Sequence, residues 1–463
     1  MTKDLQPALR KIIPALIADF FSKGEKRTIL LKRNVLGAFM LRGVDTLLGF
    51  VRVPLIISFL SVSEYGIWLT LSSVIGWFVF FDVGLSSGLK TKLGIALGKK
   101  EYQLAKTYVS TTYATIAIII GLVFLIFILI YPFLDWGKIL NVPSNLSSSA
   151  PLFVLVFTSL FAFQFIANII GTILTADQRP TAASAISTLT SIIYLLLLIL
   201  LKTFTKGTLL SLTLICNGTS VIIYLAASIY LFRGRYFHIS PSFKAVDFSH
   251  FKELATLGIK FFFIQISSII LFSTDNMIIT QLYTPADVAP YSVSMKYMTI
   301  PLMLFSMVTW PLWAAFSEAY AIKDYEWIRK TVNKLVLIWF GMILLVLICL
   351  LFAELFYQIW LKGEIIVPFL LSAFMGLYAL LVGWNQIFVF FLNGVGKIKL
   401  QLYMSFITIF INIPMSVYFA KGLGLGPAGV ILATNVCIFI GSVWAPIQYR
   451  KIINGEARGI WDQ

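Results

Sequence analysis

Charge is scarce in this chain. Asp, Glu, Lys and Arg together supply 12% of its 463 residues, roughly half the usual share of a globular domain and too little to cover a surface facing water. Histidine is scarcer still: only His238 and His250 are present, both in one charged loop. A histidine-based site within the apolar runs is therefore excluded. The three cysteines, Cys216, Cys349 and Cys437, lie inside apolar runs without paired spacing, so neither a disulfide framework nor a thiolate metal set is read from them. No nucleic-acid-binding motif accompanies the net charge of +16, and no nucleic-acid partner is expected. Residues 1–33 carry eight Lys/Arg with Pro7 and Pro14. They show no clean apolar segment before a small-residue cleavage site, so no cleavable signal peptide is expected. The stretch Leu5–Phe21 reads either as a broken amphipathic helix on the membrane surface or as a plain tail.

What the chain has in abundance is apolar length. Hydrophobic residues make up 59% of it, and its mean hydropathy is +0.91. Runs of about 20 apolar residues, the length that crosses a hydrocarbon core, recur at 34–60, 65–87, 108–131, 151–175, 182–201, 208–232, 257–282, 287–315, 333–357, 366–392, 400–420 and 427–448. The pattern predicts an all-α integral membrane protein with about twelve transmembrane helices. Pro54, Pro301, Pro311 and Pro414 fall inside these spans, which points to bent helices lining an interior. The tails and the loops after even-numbered spans hold 28 Lys/Arg, and the loops after odd-numbered spans hold 5. That asymmetry predicts both termini on the cytoplasmic side of the membrane. No loop on the other side is long enough to carry a domain.

The two halves repeat. Lys100-Glu101-Tyr102 with Lys106 and Val109 matches Lys323-Asp324-Tyr325 with Arg329 and Val332 at an offset of 223. Leu174-Thr175-Ala176-Asp177-Gln178-Arg179 aligns with Leu392-Asn393-Gly394-Val395-Gly396-Lys397 at an offset of 218. Both matches fall six spans apart. They predict two six-helix lobes, 34–232 and 257–449, related in parallel and facing each other across a central cavity. A cytoplasmic tail at 1–33, an inter-lobe loop at 233–256 and a tail at 450–463 complete the division.

Charges inside spans are costly and mark candidate sites. Arg42, Asp45 and Arg52 share one face of the first span at 100° per residue. They are expected to line the cavity, with Asp45 partly neutralising the arginines; a structural ion-pair group is the alternative. In the seventh span Gln265, Ser268 and Asp275 form a polar stripe with Asn276 beside it. Lys296 in the eighth is the candidate anion ligand of the second lobe, unless it forms a structural pair with Asp275. Asp82 near the end of the second span reads equally as a cavity carboxylate or as a helix-end residue. Cations facing inward from both lobes suit an anionic headgroup, and an arginine fork suits phosphate. Asp45, Asp82 and Asp275 are candidate carriers of a coupling proton or sodium ion. No resident cofactor is expected.

The stretch Ser63-Glu64-Tyr65-Gly66-Ile67-Trp68, then Phe81-Asp82-Val83-Gly84-Leu85, Gly88-Leu89 and Ala96 to Lys106, resembles the polysaccharide transporters called Wzx or O-antigen flippases. These belong to the superfamily of multidrug and toxin extruders and lipid II flippases. Gly258–Tyr297, with Asp275-Asn276 and Tyr291-Ser292, also resembles the start of their second lobe. The resemblance implies a membrane transporter that moves an undecaprenyl-pyrophosphate-linked oligosaccharide between leaflets by alternating access. It implies a cationic central cavity, an ion gradient as driving force, membrane lipids and polysaccharide polymerase or assembly proteins as partners, and Asp82 as a matched motif position. The N-terminal tail is longer than the family pattern. Three other readings stay open at this point: a multidrug exporter or a lipid II flippase of the same superfamily, or a membrane polysaccharide polymerase or ligase.

Overall fold

The computed structural model describes residues 26–77, 82, 85–144, 146–251, 274–310 and 312–462. The tail segment Leu5–Phe21 and the stripe residues Gln265 and Ser268 lie outside the described residues. Among those described, all regular structure is helical. The N-terminal lobe contains α1 (Lys26–Phe59), α2 (Val62–Gly76), α3 (Leu85–Gly98), α4 (Tyr102–Ile130), α5 (Trp136–Ile139), α6 (Ala150–Ala167), α7 (Ile169–Ala176), α8 (Pro180–Phe204), α9 (Leu209–Thr213) and α10 (Thr219–Arg233). The C-terminal lobe contains α11 (Asp275–Leu282), α12 (Val288–Met298), α13 (Ile300–Thr309), α14 (Leu312–Ala321), α15 (Tyr325–Leu351), α16 (Ala353–Leu361), α17 (Phe369–Val395), α18 (Lys399–Val417) and α19 (Pro427–Ile453).

Among the described residues, eight helical stretches are long and apolar enough to cross a membrane. They coincide with the third to sixth and ninth to twelfth sequence spans. Of the other four, the seventh lies largely outside the described residues, and the first and eighth differ in kind. α1 is long but carries charges, and the eighth is divided between α12 and α13 at Thr299. In both lobes continuous apolar helices follow these segments. Leu122, Leu125, Ile126 and Leu129 of α4 and Leu337, Leu344 and Leu351 of α15 are exposed, as side chains facing lipid must be.

The internal repeat is visible in backbone geometry. Lys100 and Lys323 both adopt left-handed φ, at 61° and 60°. Around them the amides of Glu101 and Asp324 reach the carbonyls of Ala96 and Ala319 at 2.9 Å each, residues separated by the same offset. The second pair behaves alike: Gln178 and Gly396 are left-handed, at 58° and 75°, and Arg179 and Lys397 close onto Leu174 and Leu392 at 2.8 and 3.0 Å. These are Schellman-type helix stops, which need one left-handed residue each.

Contact between the lobes runs through α1 and α2 on one side and 275–298 with α16 on the other. Ser61 and Glu64 form a reciprocal capping box that starts α2. Gly66 then lies so close to the Pro285 carbonyl that a β-carbon would sit 1.6 Å from its oxygen. Thr70 and Thr280 share a hydrogen bond at 2.6 Å, and Asn276 donates to the Ser73 hydroxyl at 2.7 Å. Asn141 donates to the carbonyls of Thr280 and Tyr283 at 2.9 and 2.8 Å. Together these close the bundle at the end that carries Ser61, Asn141 and Pro285.

Two prolines make tertiary joints. Pro54 has no N–H to give the Phe50 carbonyl, and the Trp360 indole takes that carbonyl at 2.8 Å. Pro446 frees the Ser442 carbonyl in the same way, and Trp384 takes it at 3.0 Å. The loop between the lobes is docked as far as it is described. Ser110 accepts from the Ser242 amide at 3.0 Å, and Thr111 accepts from the Asp247 amide at 3.0 Å. Hydrogen bonds from Ser249 hold the Asp247 carboxyl below its ordinary range.

Candidate functional site

The first span carries its charges to two different places. Arg52 and Lys296, one from each lobe, meet over Gly49. The Lys296 ammonium donates to the Gly49 carbonyl at 2.7 Å. A β-carbon at Gly49 would lie 3.3 Å from Lys296 Nζ and 3.6 Å from an Arg52 terminal nitrogen. A β-carbon at position 49 would thus crowd the Lys296 ammonium and stand in ordinary contact with the Arg52 guanidinium. Arg52 also reaches back to the Leu48 carbonyl at 3.4 Å and lies 5.5 Å from the centre of the Tyr194 ring. Lys296 Nζ is 5.7 Å from the centre of the Phe50 ring. Both side chains are half-buried, and neither forms a salt bridge among the described residues. Two like charges held this close in a partly desolvated site repel each other, so an anion between them would relieve the repulsion.

Asp45 forms no salt bridge with Arg42 or Arg52 among the described residues. Asp45 accepts from the Ser187 hydroxyl of α8 at 3.2 Å, and its other oxygen is buried without a partner. Arg42 and Asp45 line a polar cavity of about 530 Å³ within the N-terminal lobe, with Ser86, Lys90, Ser187 and Tyr224 among its walls. They also border a second cavity of about 400 Å³ that faces Met303, Ser306 and Trp310 of the other lobe. Arg42 is exposed. Shared helix face therefore did not mean shared site: nearly three turns separate Arg42 from Arg52, and Ser187 of α8 bonds the carboxylate between them.

Asp82 receives the Ser86 amide on both oxygens at 3.1 Å and the Ser86 hydroxyl at 2.7 Å. It caps the start of α3, the helix-end role of the two considered, and through Ser86 it adjoins the polar cavity. Asp275 does not pair with Lys296. It is buried and accepts a short hydrogen bond from the Tyr291 hydroxyl. Asn276 serves the contact between lobes described above.

Ser187, Tyr194 and Tyr224, which surround the charges of α1, escaped sequence reasoning. They lie in apolar spans more than a hundred residues away, and no periodicity links them to residues 42–52.

An apolar groove of about 1,010 Å³ runs beside the cationic pair. Leu47, Phe50 and Val51 of α1 and Ile199 of α8 form one wall, and Met303, Phe356 and Trp360 form the other. The groove is thus shared by both lobes and adjoins the Lys296 site through Phe50.

Residues 31–320 match the model of a family described as polysaccharide biosynthesis protein. The chain belongs to that family. It is 23% identical over 434 residues to a Yersinia pseudotuberculosis protein named for O-antigen export, covering 89% of this chain and 94% of the relative. A Salmonella typhi protein named as an O-antigen transporter is 21% identical over 299 residues, covering 63% of this chain and 65% of the relative. Among solved structures, an inward-facing multidrug resistance MATE family transporter of the MOP superfamily superposes with a TM-score of 0.74 at 15% identity, covering 92% of this chain and all of the other. The fold is that of a multi-pass membrane transporter, with two facing lobes of helices.

Proposed function

We propose that the protein is a flippase that carries an undecaprenyl-pyrophosphate-linked oligosaccharide across the bacterial inner membrane by alternating access, for assembly of O-antigen, capsule or a related polysaccharide. The family, the O-antigen relatives and the transporter fold support this reading. The single observation that carries the mechanism is the junction of Arg52 and Lys296 over Gly49. Sugar and pyrophosphate cannot enter hydrocarbon without losing hydrogen bonds worth several kcal/mol per group. A pair of unneutralised cations between two lobes replaces water around the phosphates. The apolar groove beside them leaves the polyprenyl tail in contact with lipid while the headgroup moves.

The lysine and arginine distribution puts both termini, and the loop at 233–256, in the cytoplasm. The end closed by Gly66, Thr70 and Asn141 then faces outward. This state is open to the inside and ready to load from the cytoplasmic leaflet. Lobe boundaries follow the sequence division at 34–232 and 257–449. Polymerase and assembly proteins are the partners that would take the delivered product.

A multidrug exporter has the same fold, but organic cations would be repelled by Arg52 and Lys296. A polymerase or ligase is disfavoured by relatives named as transporters and export proteins. Inverted vesicles loaded with lipid-linked oligosaccharide test the assignment. Arg52→Ala with Lys296→Ala is expected to abolish translocation while the protein still inserts; normal translocation by the double variant would overturn it.

A further inference from the structure

The loop after α10 runs along α4 toward the middle of that helix and back again. His238 stands beside Tyr102 at the start of α4, with ring centres 6.1 Å apart. The Ser242 amide then donates to Ser110, and the Asp247 amide to Thr111, each at 3.0 Å. By His250 the chain has returned to Tyr108, 5.3 Å away between ring centres. Tyr102 to Ser110 is about 12 Å along a helix. The turn Phe243–Ala245 is the far end of this dip. There Phe243, Pro241 and Val246 close over an apolar cavity of about 290 Å³ that reaches Ala114 and Ala117 of α4. Lys106 is the last charged residue of α4. The tip of the dip therefore lies beyond the level at which that helix enters hydrocarbon.

Irregular backbone at bilayer depth is tolerated only where protein meets its polar groups. Ser110 and Thr111 meet them here. Both are buried, and Thr111 also donates to the Asp247 carbonyl at 3.2 Å. The turn itself closes the Ala245 and Val246 amides at 3.0 and 3.3 Å. The phenylalanines turn the other way: Phe243 is 97% exposed, and Phe237 and Phe248 are exposed beside it. Rings left so bare in water would be unfavourable, and in lipid they are at home. Lys244 is exposed next to Phe243, and a lysine at this depth extends its methylenes to bring the ammonium up to the phosphate level. Residues 233–250 carry Arg233, Arg235 and Lys244 against Asp247 alone, an excess that attracts anionic lipid. We propose that residues 237–250 form a docking site for an anionic phospholipid of the cytoplasmic leaflet, with an acyl chain in the cavity beside Phe243 and the phosphate held by Lys244. This goes beyond the transport reading, because the lipid is a companion of the N-terminal lobe and not the cargo.

Two measurements on the full-length protein test the site. In a background without the three native cysteines, a nitroxide is attached through Phe243→Cys or, as a control at the start of α4, through Glu101→Cys, in nanodiscs of phosphatidylglycerol and phosphatidylcholine. Oxygen should relax the label at 243 more than a water-soluble nickel chelate does, and the order should reverse at 101. In detergent, added phosphatidylglycerol should raise the unfolding temperature more than phosphatidylcholine with the same chains, since binding to the folded state stabilises it. Lys244→Gln should raise the concentration of phosphatidylglycerol needed by about tenfold, for the loss of one charge-assisted hydrogen bond, and leave the response to phosphatidylcholine unchanged. Lys244 is exposed, so its replacement removes nothing from the core. Equal responses to the two lipids, or an unchanged phosphatidylglycerol midpoint in Lys244→Gln, would overturn the headgroup site. Nickel access at 243 as great as at 101 would overturn the dip itself and assign the bare phenylalanines to a soluble partner. None of these outcomes depends on whether a glycan is translocated.

Discussion

Gly66 of the first lobe and Pro285 of the second touch backbone to backbone, with no room for even a methyl group between them. This contact converts part of a motif into a mechanical requirement. Glu64 of the same motif starts α2 through its capping box, and Gly66 permits the closed end. Gly66→Ala should disfavour that closed end by about 1–3 kcal/mol, the usual range for overpacking. The open state would gain by about 5- to 150-fold. In a background without the three native cysteines, a cysteine at Ser73 should then react faster with a membrane-impermeant thiol reagent added outside the cell. An unchanged labelling rate would mean that the contact does not hold the end shut.

Thr70 and Thr280 offer the complementary test. Their hydroxyls are 2.6 Å apart across the lobes, so cysteines at both positions should form a disulfide under mild oxidation. Crosslinked protein should lose translocation and recover it on reduction. Full activity of the crosslinked form would show that the two lobes need not part here.

The architecture was largely legible in the chain, and for a definite reason. Lipid imposes a length and a polarity on every helix that faces it, so the third to sixth and ninth to twelfth spans announced themselves. The repeat was legible because a helix stop needs particular residues at particular distances. Lys100 with Lys323, and Gln178 with Gly396, sit at the same offsets in sequence and in φ. The site was legible only in part. Burying a cation is costly enough to single out Arg52 and Lys296, but nothing in spacing relates residue 52 to residue 296. They meet over Gly49, where the Lys296 ammonium reaches the backbone carbonyl. Asp45 stays beside Arg42 at the polar cavity, as helix periodicity placed it, while a serine from a distant helix, which no periodicity reveals, hydrogen-bonds its carboxylate.

The cationic junction should bind the bare phosphate chemistry of the headgroup. Inorganic pyrophosphate is expected to raise the unfolding temperature of the purified protein, and Lys296→Met should weaken that effect by about tenfold or more. A charge-assisted hydrogen bond contributes roughly 1.5–3 kcal/mol. Lys296→Arg should retain most of it, since charge rather than length is the requirement. Equal pyrophosphate responses in wild type and Lys296→Met would remove Lys296 from the anion site.

The paired helix stops predict an unusual stability gain. Lys100 and Lys323 hold a left-handed backbone that costs a residue with a β-carbon about 1–2 kcal/mol. Glycine adopts it freely. Lys100→Gly and Lys323→Gly should each therefore raise the unfolding temperature, although replacing an ordinary residue by glycine usually lowers it. The reverse change at the matching stop of the second repeat, Gly396→Ala, should lower stability by a similar amount, because Gly396 has φ of 75° with no neighbour within 4 Å. Its cost would be conformational and not steric.

Asp177 is the hub that fixes the start of the inter-lobe loop. One of its oxygens receives the Tyr236 hydroxyl at 2.8 Å, and Arg179 and Arg235 each approach it at 3.2 Å. The arginine pairs are largely exposed and contribute little. The tyrosine contact matters more, because Tyr236 is buried beneath α3 and α4 in the N-terminal core, and a phenol left there without a partner is penalised. Asp177→Ala should therefore loosen residues 234–251 without unfolding the lobe. Limited trypsin digestion should cut at Arg233 or Arg235 about tenfold faster, the change expected for about 1.4 kcal/mol of local opening. Tyr236→Phe removes the hydroxyl and keeps the ring, so it separates the two contributions. If Asp177→Ala speeds cleavage and Tyr236→Phe does not, the carboxylate holds the loop through its arginines; if both do, the single buried hydrogen bond is the clasp.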